Sequence, residues 1–292
     1  MDKSAAELER TFGIDGSVAI GPGRGGLTCV KLFYEDSYAS VRTLLWFVVH
    51  YLSLAFLDLL TGEFFLIYVR PEGFGKLGAL MQHGFARNSF WEIESTTVDS
   101  LDSIPSVTLL LKSNDTTKQI WAHDFELRLT VTLFKQSLNS TSGSLDCELK
   151  VSNVGPRPFT FSGALHTYLN VLDARRAKVM LENHKGISKD NITEQVLVRQ
   201  VKRVQFGEEV DLSIFDVKDE IQLNGLAKDK TTVEKKGFPD VVVWNPHIEK
   251  SAGMADLEDS AWRHFVCVEP AIANVLIRLE QHETWVGRMR LS

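Results

Sequence analysis

Cysteine is scarce in this chain of 292 residues. The three that occur, Cys29, Cys147 and Cys267, are odd in number, widely spaced and include no CxxC pair. That pattern gives no footing for a disulfide framework or a structural zinc site. A positive charge excess is also missing: the formal net charge is -6. Surfaces that track a phosphate backbone are strongly basic, so no nucleic-acid partner is expected. A small anion needs only one or two local cations and is not excluded by the same argument. The stretch MDKSAAELERTFGIDG lacks the apolar core of a secretory signal and the Arg/Ser-rich, acid-poor character of a transit peptide. A cytoplasmic location is expected. Internal repeats and a composition break that would mark a domain boundary are absent as well, so one domain over residues 1–292 is expected.

Strand periodicity is what the chain has in quantity. In FELRLTVTLF, Phe125, Leu127, Leu129, Val131 and Leu133 alternate with polar residues, the period of a half-buried strand. Leu145, Cys147, Leu149 and Val151 repeat the pattern in LDCELKV, and the turn-rich NSTSGS between them makes the two antiparallel neighbours. NVGPRP breaks the chain before FTFSGALHTYLNV. EQVLVRQVKRVQF, VDLSIF, PDVVVWN, HFVCVEPA and NVLIRL are further strand candidates. Few helical patterns lie between them, so the fold class is all-β: a large antiparallel β-sandwich.

One stretch departs from this. Residues 44–60, LLWFVVHYLSLAFLDLL, form a dense apolar run, and FFLIYV follows closely. The run is marginal in length for a membrane helix, and His50 and Asp58 interrupt it. A buried helix or a pair of core strands suits it better than a membrane span. Asn114, Asn139 and Asn191 each begin an N-x-S/T triplet and read as surface loop residues.

Three blocks carry a family resemblance: QHGFARNSFWEIE from Gln82 to Glu94, FSGALHTYLNV from Phe161 to Val171, and the long block from Phe238 to Ala271 that contains VVWNP and CVEPA. Their order and spacing resemble the glucose-6-phosphate 1-epimerases, or hexose-6-phosphate mutarotases, of the aldose 1-epimerase superfamily. The resemblance runs from about Leu77 onward and is weaker near residues 13–35. It implies a galactose mutarotase-like supersandwich, in agreement with the strand reading. It also implies exchange of the α and β anomers of a hexose 6-phosphate, glucose 6-phosphate above all, with no metal or organic cofactor and no partner beyond the sugar phosphate. A monomer is favoured.

Anomer exchange opens a cyclic hemiacetal. A base takes the proton of the anomeric hydroxyl, an acid protonates the ring oxygen, and the aldehyde turns before the ring recloses. One acid and one base on opposite sides of the site would do this. The resemblance places the acid at His166, whose side-chain type titrates near neutrality. It places the base at Glu269, between apolar strand residues and Pro270, where burial would raise its pKa. Asp211 in GEEVDLSIF is implied to bind sugar hydroxyls and orient the histidine. Gln82 and Arg87 match substrate-contacting positions; a guanidinium fork suits phosphate or clustered hydroxyls. His83 is a possible lining residue. Trp244 and Asn245 are expected to form a wall and a loop clamp for the sugar, and Trp91 and Trp262 to be core aromatics.

Other signals carry less. GPGRGG, residues 21–26, fits G-x-G-x-x-G but precedes a strand-like LTCVKLFY rather than a helix. His123, His247 and His264 are scattered without zinc-ligand spacing. KDKTTVEKKG reads as a solvated loop or hairpin end. The family's Arg-bearing RGGIP block is not recognisable here: eighteen residues before Gln82, where its arginine would fall, stands Phe64, and Arg70 is the nearest arginine. A substituted segment or a diverged paralogue would each explain this. It keeps a second reading open, a non-catalytic carbohydrate-binding sandwich or pseudoenzyme. A membrane-tethered product and a mutarotase for unphosphorylated aldoses are lesser alternatives.

Overall fold

The computed structural model describes residues 3–23, 27–43, 49–53, 62–70, 84–135, 143–181, 186–225, 231–254 and 257–292, the segments 49–53 and 62–70 by their backbone alone. Among these residues the strands run, in chain order, β1 (Val18–Pro22), β2 (Thr28–Tyr34), β3 (Ser37–Arg42), β4 (Val49–Ser53), β5 (Gly62–Arg70), β6 (Glu92–Val98), β7 (Pro105–Lys112), β8 (Phe125–Lys135), β9 (Gly143–Asn153) and β10 (Phe159–Asn170). They continue with β11 (Lys178–Met180), β12 (Ile187–Asp190), β13 (Gln195–Val198), β14 (Arg203–Gln205), β15 (Val210–Ile214), β16 (Glu220–Asn224), β17 (Thr231–Lys236), β18 (Asp240–Asn245), β19 (Phe265–Leu279) and β20 (Thr284–Leu291). Three short helices accompany them: α1 (Ala5–Phe12), α2 (Asp115–Ile120) and α3 (His247–Ala252).

The strands form two antiparallel sheets. An eleven-stranded sheet has the order β1-β2-β3-β4-β5-β10-β19-β18-β15-β12-β13, and a nine-stranded sheet the order β14-β11-β16-β17-β20-β9-β8-β7-β6. The expected all-β sandwich is therefore what the chain builds. Its hydrophobic core collects residues from Val18 to Leu291 and from both sheets.

The clearest sequence pattern has the clearest structural result. Phe125, Leu127, Leu129, Val131 and Leu133 of β8 are all fully buried, as are Leu145, Cys147, Leu149 and Val151 of β9. Leu129 lies opposite Leu149 and Leu133 opposite Leu145. A register shift of one residue would turn the whole apolar set to solvent, so the pairing is strongly specified. On the other face Thr108 of β7 and Thr130 of β8 share a hydrogen bond at 2.9 Å.

The chain's apolar run is used in the sheet. β4 and β5 lie inside the larger sheet, between β3 and β10. This agrees with a pair of strands and corrects the buried-helix alternative over 49–53; residues 44–48 and 54–60 lie outside the described set. No helix among the described residues is long and apolar enough to cross a membrane.

Three sequence expectations change. EQVLVRQVKRVQF splits into β13 and β14, which belong to different sheets. HFVCVEPA and NVLIRL join into one strand, β19, with a bulge between them: two steps along β10, Phe161 to Gly163, span five along β19, Ile277 to Ile272. Asp240 pins that bulge, its Oδ2 accepting the N–H groups of Ala273 at 2.8 Å and Asn274 at 2.9 Å. Finally, KDKTTVEKKG is a hairpin end, as one of its two readings had it, since β16 and β17 pair across it, but it is not all solvated. Its second half is β17, and Lys235 is buried, its Nζ donating to the carbonyls of Val217 and Phe238 at 2.7 Å. Burial pushes the Lys235 ammonium pKa down; the carbonyl bonds compensate for the water it has lost.

Candidate active site

β10, β18 and the part of β19 from Phe265 to Ile272 lie side by side and are buried on both faces. Strand alternation sorts their residues into two sets. Leu165, Leu169, Val241, Val243, Val266 and Val268 belong to the main core. The alternate residues, Ala164, Val242 and Ala271, and then Trp244, Cys267 and Tyr168, form separate small clusters. His166 and Glu269 fall in that second set by parity.

Register brings the sequence candidates together. Ala164 pairs with Ala271 and Tyr168 with Cys267, which leaves His166 and Glu269 facing each other across β10 and β19. Glu269 in turn pairs with Val242, and Val242 with Ser213. One row further, Cys267 pairs with Trp244, and Trp244 with Asp211. His166 and Asp211 thus reach one region across four neighbouring strands.

His166 Nδ1 lies 3.2 Å from Glu269 Oε1, and their side chains are only 6% and 4% exposed. The two groups are side by side, which corrects the expectation of an acid and base on opposite sides of the site. The chemistry permits this, because the two hemiacetal oxygens are bonded to the same carbon. Tyr168 stacks on the imidazole with ring centroids 4.6 Å apart, and Trp244 presents its ring at 5.8 Å and nearly perpendicular. Phe265 packs on both aromatics. The imidazole is thereby held between fixed rings, which limits its rotation.

Burial pushes the Glu269 carboxyl pKa well above the ordinary carboxylate range, and the nearby charge of Asp211 adds to the effect. Asp211 is itself raised, chiefly by burial, against a lowering hydrogen bond from Asn191. The Cys267 thiol is pushed up by burial first, then by Glu269 and Asp211. The site is a low-dielectric region with two carboxyl groups and an imidazole, where proton affinities shift readily.

Asn191 is a residue that sequence reading assigned to a surface loop. It is half-buried instead, and its Nδ2 donates to Asp211 Oδ1 at 2.8 Å and to Ser213 Oγ at 2.9 Å. Its triplet signalled only a possible modification, so nothing in the sequence pointed to this bond. Tyr168 and Cys267 were legible in principle, as the residues two along from His166 and two before Glu269. Asn114, by contrast, is exposed and caps α2; Asn139 lies outside the described residues.

Asn245 is buried and ties together the backbone around it. Its Nδ2 donates to the carbonyls of Trp262 and Phe265 at 2.8 Å, and its Oδ1 accepts the N–H of His247 at 3.0 Å. Trp91 and Trp262 are buried. Arg87 is half-buried on the 3-10 turn Ala86–Asn88, which packs against β5, the neighbour of β10. Gln82 and His83 lie outside the described residues. Phe64 is a β5 position, and Arg70 is paired with Ser162 of β10. Gly21 and Pro22 end β1 and β2 begins at Thr28, so the chain after GPGRGG is a strand and not the helix that a dinucleotide site needs.

Comparisons with known proteins bear on the family and the fold. Residues 68–292 match the family model described as aldose 1-epimerase. A protein of Cenchrus ciliaris named "Putative glucose-6-phosphate 1-epimerase" is 36% identical over 233 residues, 75% of this chain and 67% of its own length. A protein of the same name from Escherichia coli (strain K12) is 32% identical over 197 residues, 67% of this chain and 62% of its own. The matches thus span about two thirds of these relatives' lengths. In fold, the chain is similar to a crystal structure titled "a putative mutarotase" from Salmonella typhimurium, with a TM-score of 0.79, 19% identity and coverage of 96% of this chain and 94% of the other. A galactose mutarotase-like protein from Clostridium acetobutylicum superposes with a TM-score of 0.70 at 15% identity, covering 94% and 97%. The two-sheet architecture, the ordered sequence blocks and these matches together place the chain: it belongs to the aldose 1-epimerase family.

Proposed function

We propose that this chain is a cytoplasmic, single-domain mutarotase that interconverts the α and β anomers of hexose 6-phosphates, glucose 6-phosphate first among them. The observation that carries the reading is the apposition of His166 and Glu269 on a buried face. In the reaction Glu269 takes the proton of the anomeric hydroxyl while His166 protonates the ring oxygen. The C1–O5 bond breaks, the free aldehyde rotates about C1–C2, and the two residues exchange roles as the ring closes on the other face. Both protons stay at the site, so no metal, oxidant or organic cofactor is required.

The environment supports these roles. The base is the ionised form of Glu269: burial and the Asp211 charge raise its proton affinity, so that form is a stronger base than an ordinary carboxylate. Asp211, steadied by Asn191, is placed to accept hydrogen bonds from sugar hydroxyls. Tyr168 and Trp244 keep the imidazole in plane and exclude water. Arg87 and Gln82 are assigned to the substrate, Arg87 to its phosphate. The pseudoenzyme reading draws on one specific departure, Phe64 at the arginine position.

The test is mutarotation of freshly dissolved α-glucose 6-phosphate, with glucose and the His166→Ala variant as comparisons. Acceleration for the phosphate ester alone, lost in the variant, is the expected result. A folded protein that binds the ester without accelerating its mutarotation overturns the catalytic reading in favour of a binding sandwich.

A further inference from the structure

Cys267 takes no part in the proton transfers proposed above. Yet a ligand atom of His166, the Sγ of Cys267 and a carboxylate oxygen of Glu269 all lie within 4.8 Å of one another. All three residues are buried. Among the described residues no other trio of His, Cys, Asp or Glu converges in this way. The convergence is a product of β-geometry: Cys267 and Glu269 are two apart on one face of β19, and His166 faces Glu269 from β10.

The donor set and spacing suit a tetrahedral cation. A zinc ion with bonds of about 2.0–2.3 Å holds its ligand atoms roughly 3.3–3.8 Å apart. The His166–Glu269 separation of 3.2 Å lies about 0.1 Å short of that range, and the 4.8 Å outer limit asks one side chain to move by about 1 Å. Three protein donors leave the fourth position open, as in exchangeable rather than sealed zinc sites. A thiolate with imidazole favours zinc-like cations over magnesium or calcium. Asp211 adds negative charge beside Glu269 and Cys267.

We propose that His166, Cys267 and Glu269 form a binding site for a thiophilic divalent cation, Zn²⁺ as the type, whose occupancy excludes the sugar and reversibly silences the site. Binding replaces the protons of the Cys267 thiol and the Glu269 carboxyl, which pass to solvent; no carbon bond changes and nothing is oxidised. The binding half of this proposal stands apart from the mutarotase reading; only the silencing rests on it.

The experiment titrates the full chain, stripped of metal by a chelator, with Zn²⁺, Co²⁺ and Mg²⁺ in a calorimeter and a spectrophotometer. One Zn²⁺ per chain with proton release, a thiolate-to-cobalt charge-transfer band, and no Mg²⁺ binding are expected. Cys267→Ser should lose the band and weaken Zn²⁺ at least about tenfold, while Cys29→Ala leaves both unchanged. The ratio of mutarotation rates with and without Zn²⁺ should be well below one in the wild type and close to one in Cys267→Ser. Absence of stoichiometric Zn²⁺ binding in the wild type, or equal binding by a folded Cys267→Ser, overturns the site. Should Cys267→Ser fail to fold, Glu269→Gln serves in its place, and undiminished Zn²⁺ affinity there overturns it as well. Because calorimetry reads no turnover, a chain that binds Zn²⁺ but does not catalyse defeats the function proposed above and leaves the metal site supported.

Discussion

The β8–β9 pair and the β10–β19 pair are both antiparallel, both long and both central to their sheets, but they bury different things. β8 and β9 turn one apolar face to the core and the other toward solvent. β10 and β19 turn one apolar face to the same core and hide a second face that carries His166, Glu269 and Cys267. The first pair maximises burial of hydrocarbon. The second accepts the desolvation of ionisable groups, which folding alone would not favour. A strand whose far face is buried yet polar marks where stability has been given up for chemistry.

The sharpest way to break this comparison is to remove one residue from each pair. His166→Ala should cut turnover by about 10²–10⁴-fold, or roughly 3–5.5 kcal/mol of barrier, while its urea midpoint falls by less than that of a core truncation. Leu129→Ala should do the reverse. It should cost about 2–5 kcal/mol of stability by urea titration, with kcat per folded molecule nearly intact. Equal damage to both properties in both variants would dissolve the distinction between the two pairs.

A pH series sharpens it further. The native Glu269 keeps its proton at pH values where the unfolded chain, with an ordinary value of 4.5, has released it. Its contribution to stability is therefore whole below about 4.5 and declines as pH rises toward the native value. Glu269→Gln has no such loss. It should be more stable than the wild type at pH 7, the two converging in acid, as read by denaturant titrations from pH 4 to pH 8. A wild type that gains on the variant as pH rises would contradict the buried, proton-holding environment.

The smallest effect belongs to the edge of the site. Asn191→Ala removes the hydrogen bond that lowers the Asp211 pKa. The Asp211 carboxyl should titrate at higher pH, followed by side-chain carbon NMR, and stability should change by about 0.5–1.5 kcal/mol. An unmoved Asp211 titration would mean that the bond does not govern this carboxyl.

Legibility followed the same divide. β8 and β9 could be read residue by residue, because a strand with one wet face writes its orientation as alternation. β18, VVVW flanked by polar residues, shows no alternation, because both faces are buried; its apolar run marked a strand but not which side chains face the site. His166 and Glu269 were named from those blocks. Their contact was not readable, since it depends on a register set between residues about a hundred positions apart. The β19 bulge was hidden for a similar reason: the carboxylate that accepts its N–H groups, Asp240, lies on another strand. Asn191 and Lys235 were misread because each is polar, and polar residues are read as solvated unless a buried partner is known.

What the sequence by itself determined was local: the strand period, the turns between strands, and residue types able to move protons. Those follow from the pleat and from side-chain chemistry, which each segment carries with it. What only the tertiary structure decided was adjacency and environment: that an imidazole, a thiol and a carboxyl share one buried face, side by side, with Asp211 raising the proton affinity of Glu269. Cross-strand distance and desolvation are properties of the assembled sheet, and no single segment contains them.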